Sequence, residues 1–133
     1  MSETLFVETP KDELLARAAE LKAKGWRFAQ CCATRAPEDT FEILYTFVED
    51  TANEVANLRV TVAAGEEVPS VGALFPCAFM FENEMHDLFG ITVTGITLDY
   101  RGGFYHLHIP APMATGPERA AKKDKAAKAE QEA

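Results

Sequence analysis

The chain has 133 residues, 47% of them hydrophobic, with a net charge of −8 at neutral pH. That length and apolar content support one domain with a modest core. Residues 116–133 carry +1 and residues 1–115 carry −9, a balance that argues against nucleic acid and anionic lipid headgroups as partners.

No apolar run approaches the roughly 20 residues that a membrane span needs. The start of the chain lacks the basic, apolar and small-residue succession of a signal peptide. These features lead us to expect a cytosolic protein, or one on the cytosolic face of something larger. The three cysteines, Cys31, Cys32 and Cys77, form no C-x-x-C pair and no zinc or iron–sulfur ligand set. They read as small apolar residues in a reducing compartment.

Leu5-Phe6-Val7 reads as a short strand or a buried lead-in. Thr9 is placed to cap a helix, Pro10 suits its first position, and Asp12 and Glu13 make a negative first turn. Leu14, Leu15, Ala18 and Leu21 continue at helical spacing until Gly25. From Trp26 the period changes to two. Trp26–Ala33, Phe41–Val48 and Asn57–Ala64 read as three strands joined by short turns. Phe41, Ile43, Tyr45 and Phe47 share one face of the second, and Leu58, Val60 and Val62 one face of the third. Consecutive strands with short connections form an antiparallel meander. Residues 65–69 read as a loop, after which Ser70 can cap a short turn over residues 71–75.

Residues 75–91 contain the most informative helix. Pro76 suits its first turn and Gly90 its left-handed end. Cys77, Ala78, Phe81, Met85, Leu88 and Phe89 fall on one side. The other side carries Asn83, His86 and Asp87, bordered by Glu82 and Glu84, together with the apolar pair Phe79 and Met80. An apolar pair on a polar face suggests that another chain covers it. Residues 91–98 and 104–109 then read as a hairpin or extended arm around Gly102-Gly103, and Pro110-Ala111-Pro112 stops it. Residues 116–133 are low-complexity Ala/Lys/Glu with no face to bury, expected to be disordered or a frayed helix.

The fold expected is therefore α+β, an antiparallel sheet of three to four strands with helices packed on one face. A domain over 1–115 carries a C-terminal arm or hairpin, followed by a charged tail over 116–133. As a catalytic set, Glu82, Glu84, His86 and Asp87 would need a cleft and a partner to shift their pKa values. As a plain solvated face they would not explain Phe79 and Met80. The reading that fits both is a partner interface of Phe79, Met80, Glu82, Glu84, His86 and Asp87, with the acids holding a partner's backbone amides or arginines. His106 and His108 share a face if their segment is a strand, a spacing that metals use. With no third ligand in sight, a solvent-facing or interface pair is the simpler reading. No G-x-S-x-G, P-loop or G-x-G-x-x-G occurs. We therefore assign no catalytic, cofactor-binding or metal residue.

The run Phe81-Glu82-Asn83-Glu84-Met85-His86-Asp87-Leu88-Phe89-Gly90-Ile91 resembles the signature of the C subunit of proton-pumping NADH–quinone oxidoreductase (complex I). Glu82, Glu84, Asp87, Phe89 and Gly90 match it position for position, and Val68-Pro69-Ser70-Val71 and Phe75-Pro76 resemble its lead-in. The likeness covers about residues 5–109. Asn83 stands where that family has Arg, and Gly95-Ile96-Thr97-Leu98-Asp99-Tyr100-Arg101 replaces the Gly-His-Pro-Asp-Leu-Arg-Arg stretch of the respiratory form. These departures make the chain look more like the related small subunit of membrane-bound, energy-converting [NiFe] hydrogenases. The resemblance implies a non-catalytic structural subunit of the hydrophilic arm, without a cofactor of its own. Its partners would be a large [NiFe] hydrogenase-like or quinone-reductase-like subunit, a small iron–sulfur subunit and, indirectly, the membrane arm. Its place would be peripheral, on the cytoplasmic face of the membrane, supporting ferredoxin-linked hydrogen formation coupled to ion translocation. The C subunit of a complex I-like NADH/quinone oxidoreductase is the neighbouring alternative, and a free-standing regulatory or binding domain is the alternative of another class. A metal-dependent enzyme using His106, His108 and a carboxylate is the remaining one.

Overall fold

A computed structural model of the chain describes residues 3–114; the tail expected over 116–133 lies outside the described residues. Among the described residues there are six strands and two α-helices: β1 (Glu3–Glu8), α1 (Leu14–Ala23), β2 (Arg27–Ala36), β3 (Thr40–Glu49), β4 (Glu54–Ala63), β5 (Glu67–Pro69), α2 (Ala78–Phe89) and β6 (Thr92–Thr94). The expected meander is β2-β3-β4, paired antiparallel throughout. β1 adds to it in parallel beside β4, giving the order β1-β4-β3-β2. The expected α+β architecture is therefore present.

The period of two in the sequence sets the two faces of the sheet. Phe41, Ile43, Tyr45 and Phe47 of β3 and Leu58, Val60 and Val62 of β4 are buried in one cluster with Leu14 and Ala18 of α1 and Ala78 and Met85 of α2. Both helices thus contribute to one core, as expected for a sheet that buries a single face. Phe28 is the aromatic hub: its ring lies 5.8 Å from Phe47, 5.9 Å from Phe75 and 5.7 Å from Phe81, so it joins β2 to β3, to the turn before α2 and to α2 itself. A bulge between Phe28 and Gln30 resets the register of β2. It puts Cys31 on the core side opposite Tyr45, whereas Cys32 is exposed. Cys77 is exposed too, so only Cys31 behaves as the small apolar core residue expected of all three.

Three local expectations differ from the structure. Thr9 does not cap a helix; its hydroxyl donates to the Val7 carbonyl (3.1 Å), and the chain enters α1 through a 3-10 turn, Lys11–Glu13. Residues 67–69 are strand β5, paired in parallel with β6, not plain loop. Finally, no hairpin follows α2 among the described residues. Only Thr92–Thr94 is extended there, and residues 95–114 run as an irregular arm of turns and bends. Arg101 and Gly102 both have left-handed φ, 52° and 85°, which breaks the extended backbone that a second strand would require.

Candidate functional site

α2 starts where Pro76 ends the preceding turn. The Val71 carbonyl accepts from Leu74 and Phe75 N–H, and the Phe75 carbonyl accepts from Ala78 N–H. It stops at Gly90, whose φ of 72° is left-handed and whose N–H donates to the His86 carbonyl (2.9 Å), the expected αL end. Its inner stripe packs on the core, each large apolar residue contributing about 1.5–3 kcal/mol by burial.

The polar side of this helix is largely covered, and what covers it belongs to the same chain. Glu82 is 0% exposed. Its Oε1 accepts from Val71 N–H (3.0 Å), tying α2 to the turn after β5. Burial raises the Glu82 pKa above the usual carboxylate range, and the Ser70 hydroxyl and Val71 amide pull it back only in part. The same carboxylate faces Tyr45 and Cys31. Burial first, and then this negative neighbour among others, pushes both of their pKa values well up. The Tyr45 hydroxyl is buried without a hydrogen-bond partner among the described residues.

Asn83, 1% exposed, clasps the arm. Its Nδ2 donates to the Phe79 carbonyl (2.7 Å) and the Leu98 carbonyl (2.9 Å), and its Oδ1 accepts from Tyr100 N–H (2.9 Å). Asp87 makes a second clasp, its Oδ2 accepting from Tyr105 N–H (2.7 Å), while its Oδ1 lies 3.4 Å from His86 Nδ1. A third is the bond from Met113 N–H to the Leu88 carbonyl (2.7 Å). The amides expected to come from a partner are thus, for Glu82 and Asp87, amides of Val71 and Tyr105. Of the six residues proposed as an interface, Glu82 and Asp87 are buried, Phe79, Glu84 and His86 are half-buried, and Met80 is exposed.

Around the clasps the arm turns apolar groups outward: Leu98, Tyr100, Tyr105, Ile109 and Met113 are all exposed, as is Met80 of α2. Tyr100, Phe104 and Tyr105 form a run of edge-to-face rings. Residues 95–115 hold one acid and one base, Asp99 and Arg101, so a neutral, aromatic strip lies along an acidic body. Sequence patterning does not reveal this strip, because it presents the segment as strands and not as a cover for α2.

A cleft of about 600 Å³ opens between the C-terminal half of α2 and the arm, bordered by His86, Asp87, Tyr105, His106 and His108. All three histidines of the chain meet there, although only His106 and His108 were paired from sequence, on a strand that does not form. Among the described residues, no group of three or more His, Cys, Asp or Glu is placed to hold a metal ion. Nor, among the described residues, is any helix long and apolar enough to cross a membrane.

Residues 7–107 match the family described as "Respiratory-chain NADH dehydrogenase, 30 Kd subunit". The chain is 37% identical over 99 residues to the NADH-quinone oxidoreductase C subunit of Azorhizobium caulinodans, covering 68% of this chain and 46% of that protein. With the protein of the same name from Moorella thermoacetica it shares 39% identity over 92 residues, covering 65% and 61%. It spans about half the length of the first of these relatives. Among solved structures it resembles a chain of "the membrane-bound sulfane sulfur reductase (MBS), an archaeal respiratory membrane complex". That likeness has a TM-score of 0.76 at 17% identity, over 92% of this chain and 78% of the other, and it bears on fold alone. The signature helix, the sheet beneath it and the match over residues 7–107 agree: the chain belongs to the respiratory-chain NADH dehydrogenase 30 Kd subunit family.

Proposed function

We propose that the chain is a structural subunit of a membrane-bound respiratory complex, docking through α2 and the arm and holding no active site of its own. The observation that carries this reading is the neutral apolar strip of Met80, Leu98, Tyr100, Tyr105, Ile109 and Met113 on a body of net charge −9 over residues 1–115. Exposed apolar groups gathered in one region mark an interaction surface, and the clasps from Asn83 and Asp87 order that surface before a partner arrives, which lowers the cost of binding. In this reading Phe79, Met80, Glu84 and His86 meet the partner directly. Glu82 and Asp87 act from behind, fixing the turn and the arm.

The names of the relatives favour a complex I-like quinone oxidoreductase. In that reading a large quinone-reductase-like subunit and a small iron–sulfur subunit would be its neighbours, and its place would be peripheral, on the cytoplasmic face. A second reading is an energy-converting [NiFe] hydrogenase. It is favoured by Asn83 in place of the family's Arg and by the stretch 95–101, where Leu98 and Tyr100 take up the Asn83 clasp.

Mild solubilisation of native membranes and purification through a tag on this chain separates these readings. Co-purifying quinone-reductase subunits support the first, and a nickel-ligating large subunit supports the second. Recovery of the chain alone would end both. Replacing Phe79 and Met80 together by Ser is expected to leave the isolated fold near wild-type stability while lowering recovery of the complex. Unfolding of the isolated variant with normal assembly would make that face part of the core instead.

A further inference from the structure

β1 stands at the end of the sheet, its only partner in the sheet order being β4 among the described residues. Its register with β4 runs unbroken from Glu3 to Glu8, and the strand contains neither Lys nor Pro. Leu5, Phe6 and Val7 are 46%, 57% and 38% exposed. The opposite edge differs: β2 carries a bulge, Arg27 and Arg35, and has α2 packed against it. Natural edges are normally blunted by such devices; β1 has no bulge, and its blunting is confined to its ends, where Glu3 and Glu8 stand and Arg17 of α1 meets the Glu8 carbonyl.

The direction of its free backbone groups can be read from its bonds. Thr9 N–H donates to the Arg59 carbonyl (2.8 Å), and Asn57 Nδ2 reaches the Leu5 carbonyl (3.4 Å). Alternate residues of a strand turn their backbone groups to opposite sides. Leu5, Val7 and Thr9 therefore face β4, and Thr4, Phe6 and Glu8 face outward. Arg17 Nη1, on the outer side, occupies one lone pair of the Glu8 carbonyl (2.8 Å).

Antiparallel pairing of two such edges must match outward residues with outward residues. Centred on Phe6, it sets Phe6 against Phe6, Leu5 against Val7 and Thr4 against Glu8. Shifting by two residues in either direction sets Phe6 against Thr4 or against Glu8. The centred register alone pairs all three apolar residues with apolar residues, and in it no glutamate opposes a glutamate. The Glu8 carboxylate is also matched within its own chain by Arg59 (2.7 Å), whose guanidinium lies 5.4 Å from the centre of the Phe6 ring. The contact is thus apolar and charge-compensated at its middle, in a chain of net charge −8.

We propose that β1 pairs antiparallel with β1 of a second copy of this chain, across a two-fold axis at Phe6, joining the two four-stranded sheets into one. This pairing is independent of the docking surface on α2 and the arm. Because the two bodies repel, association strengthens as salt rises from about 0.05 to about 0.5 M, where the screening length is only a few ångströms.

Analytical ultracentrifugation of the full chain across a wide concentration range tests it. A monomer–dimer equilibrium favoured by salt is expected. Phe6→Pro removes the outward N–H and not one that faces β4, so it should weaken association by at least about tenfold with the circular dichroism spectrum retained. In a Cys32→Ser, Cys77→Ser background, Phe6→Cys should form a disulfide-linked dimer. Facing residues of a hydrogen-bonded pair have Cα atoms about 5.5 Å apart, inside the about 4.4–6.8 Å that a disulfide spans. Leu5→Cys, offset from its copy, should not cross-link. A monomer at every concentration, a dimer untouched by Phe6→Pro, or cross-linking at Leu5→Cys in place of Phe6→Cys would each overturn the proposal. So would a monomeric isolated chain whose Phe6→Pro variant loses other subunits of the complex, since the edge would then belong to a different protein.

Discussion

Replacing Asn83 by Ala removes both hydrogen bonds that fix the start of the arm, one to the Leu98 carbonyl and one from Tyr100 N–H. Each such bond contributes about 0.5–1.5 kcal/mol net, and a group left buried and unpaired costs more. Leu98 and Tyr100 are exposed residues, so water can replace the lost partner and the cost stays at about 1–2 kcal/mol, a factor of about 5–30 in the local opening equilibrium. The assay is amide hydrogen exchange. Tyr100 N–H should exchange about 5–30 times faster in the variant, while amides of β3 and β4, which open only with the whole domain, should change little. Tyr105 N–H, held separately by Asp87, should change less than Tyr100. Unchanged exchange at Tyr100 would mean that something other than Asn83 holds the arm. Equal acceleration throughout the sheet would mean that Asn83 supports the core and not the arm.

The remaining predictions concern the core and its acid. Glu82 has a raised pKa, so the folded state binds its proton more tightly than the unfolded chain does. Its contribution is therefore fully present below the unfolded value near 4.5 and is lost as pH rises from there through the folded pKa. Glu82→Gln should flatten that loss in urea titrations compared between about pH 4 and pH 8; a fall as steep as in the wild type would assign it to other groups. Phe28→Ala should cost about 3–5 kcal/mol in chemical denaturation, as large-to-small changes of buried aromatics do, because the ring joins Phe47, Phe75 and Phe81. A cost below about 1 kcal/mol would show that the cluster closes over the gap.

The meander was readable from sequence because each strand alternates cleanly and each turn is short. Phe41, Ile43, Tyr45 and Phe47 declare one face without reference to anything distant. Gly90 was readable for the same local reason, since the end of a helix favours a residue free to take positive φ. What escaped was held by contacts between distant segments. β5 is three residues long and ends in proline, so neither length nor pattern marks it as a strand, and its pairing with β6 depends on α2 bringing the two together. The polar side of α2 misled for a related reason. Periodicity separates polar from apolar positions, but it does not say whether a polar position meets solvent, a partner or a backbone amide. Asn83 and Asp87 meet backbone amides. Phe79 and Met80 suggest from sequence that another chain covers the face, and they do not reveal that the chain's own arm lies across part of it.

The parallel contact of β1 with β4 bears on the order in which the chain assembles. β2, β3 and β4 follow one another through short turns, so their pairing closes small loops. Setting β1 in place instead joins segments about fifty residues apart, as in the pairing of Glu8 with Arg59, and incurs a larger closure entropy for an edge that buries little. The meander is then the early-forming unit and β1 the late one, and on unfolding the order reverses. A ribosome would release this strand before the meander yet see it settle after it, leaving its apolar residues open to chaperones for as long as the meander takes to emerge and fold.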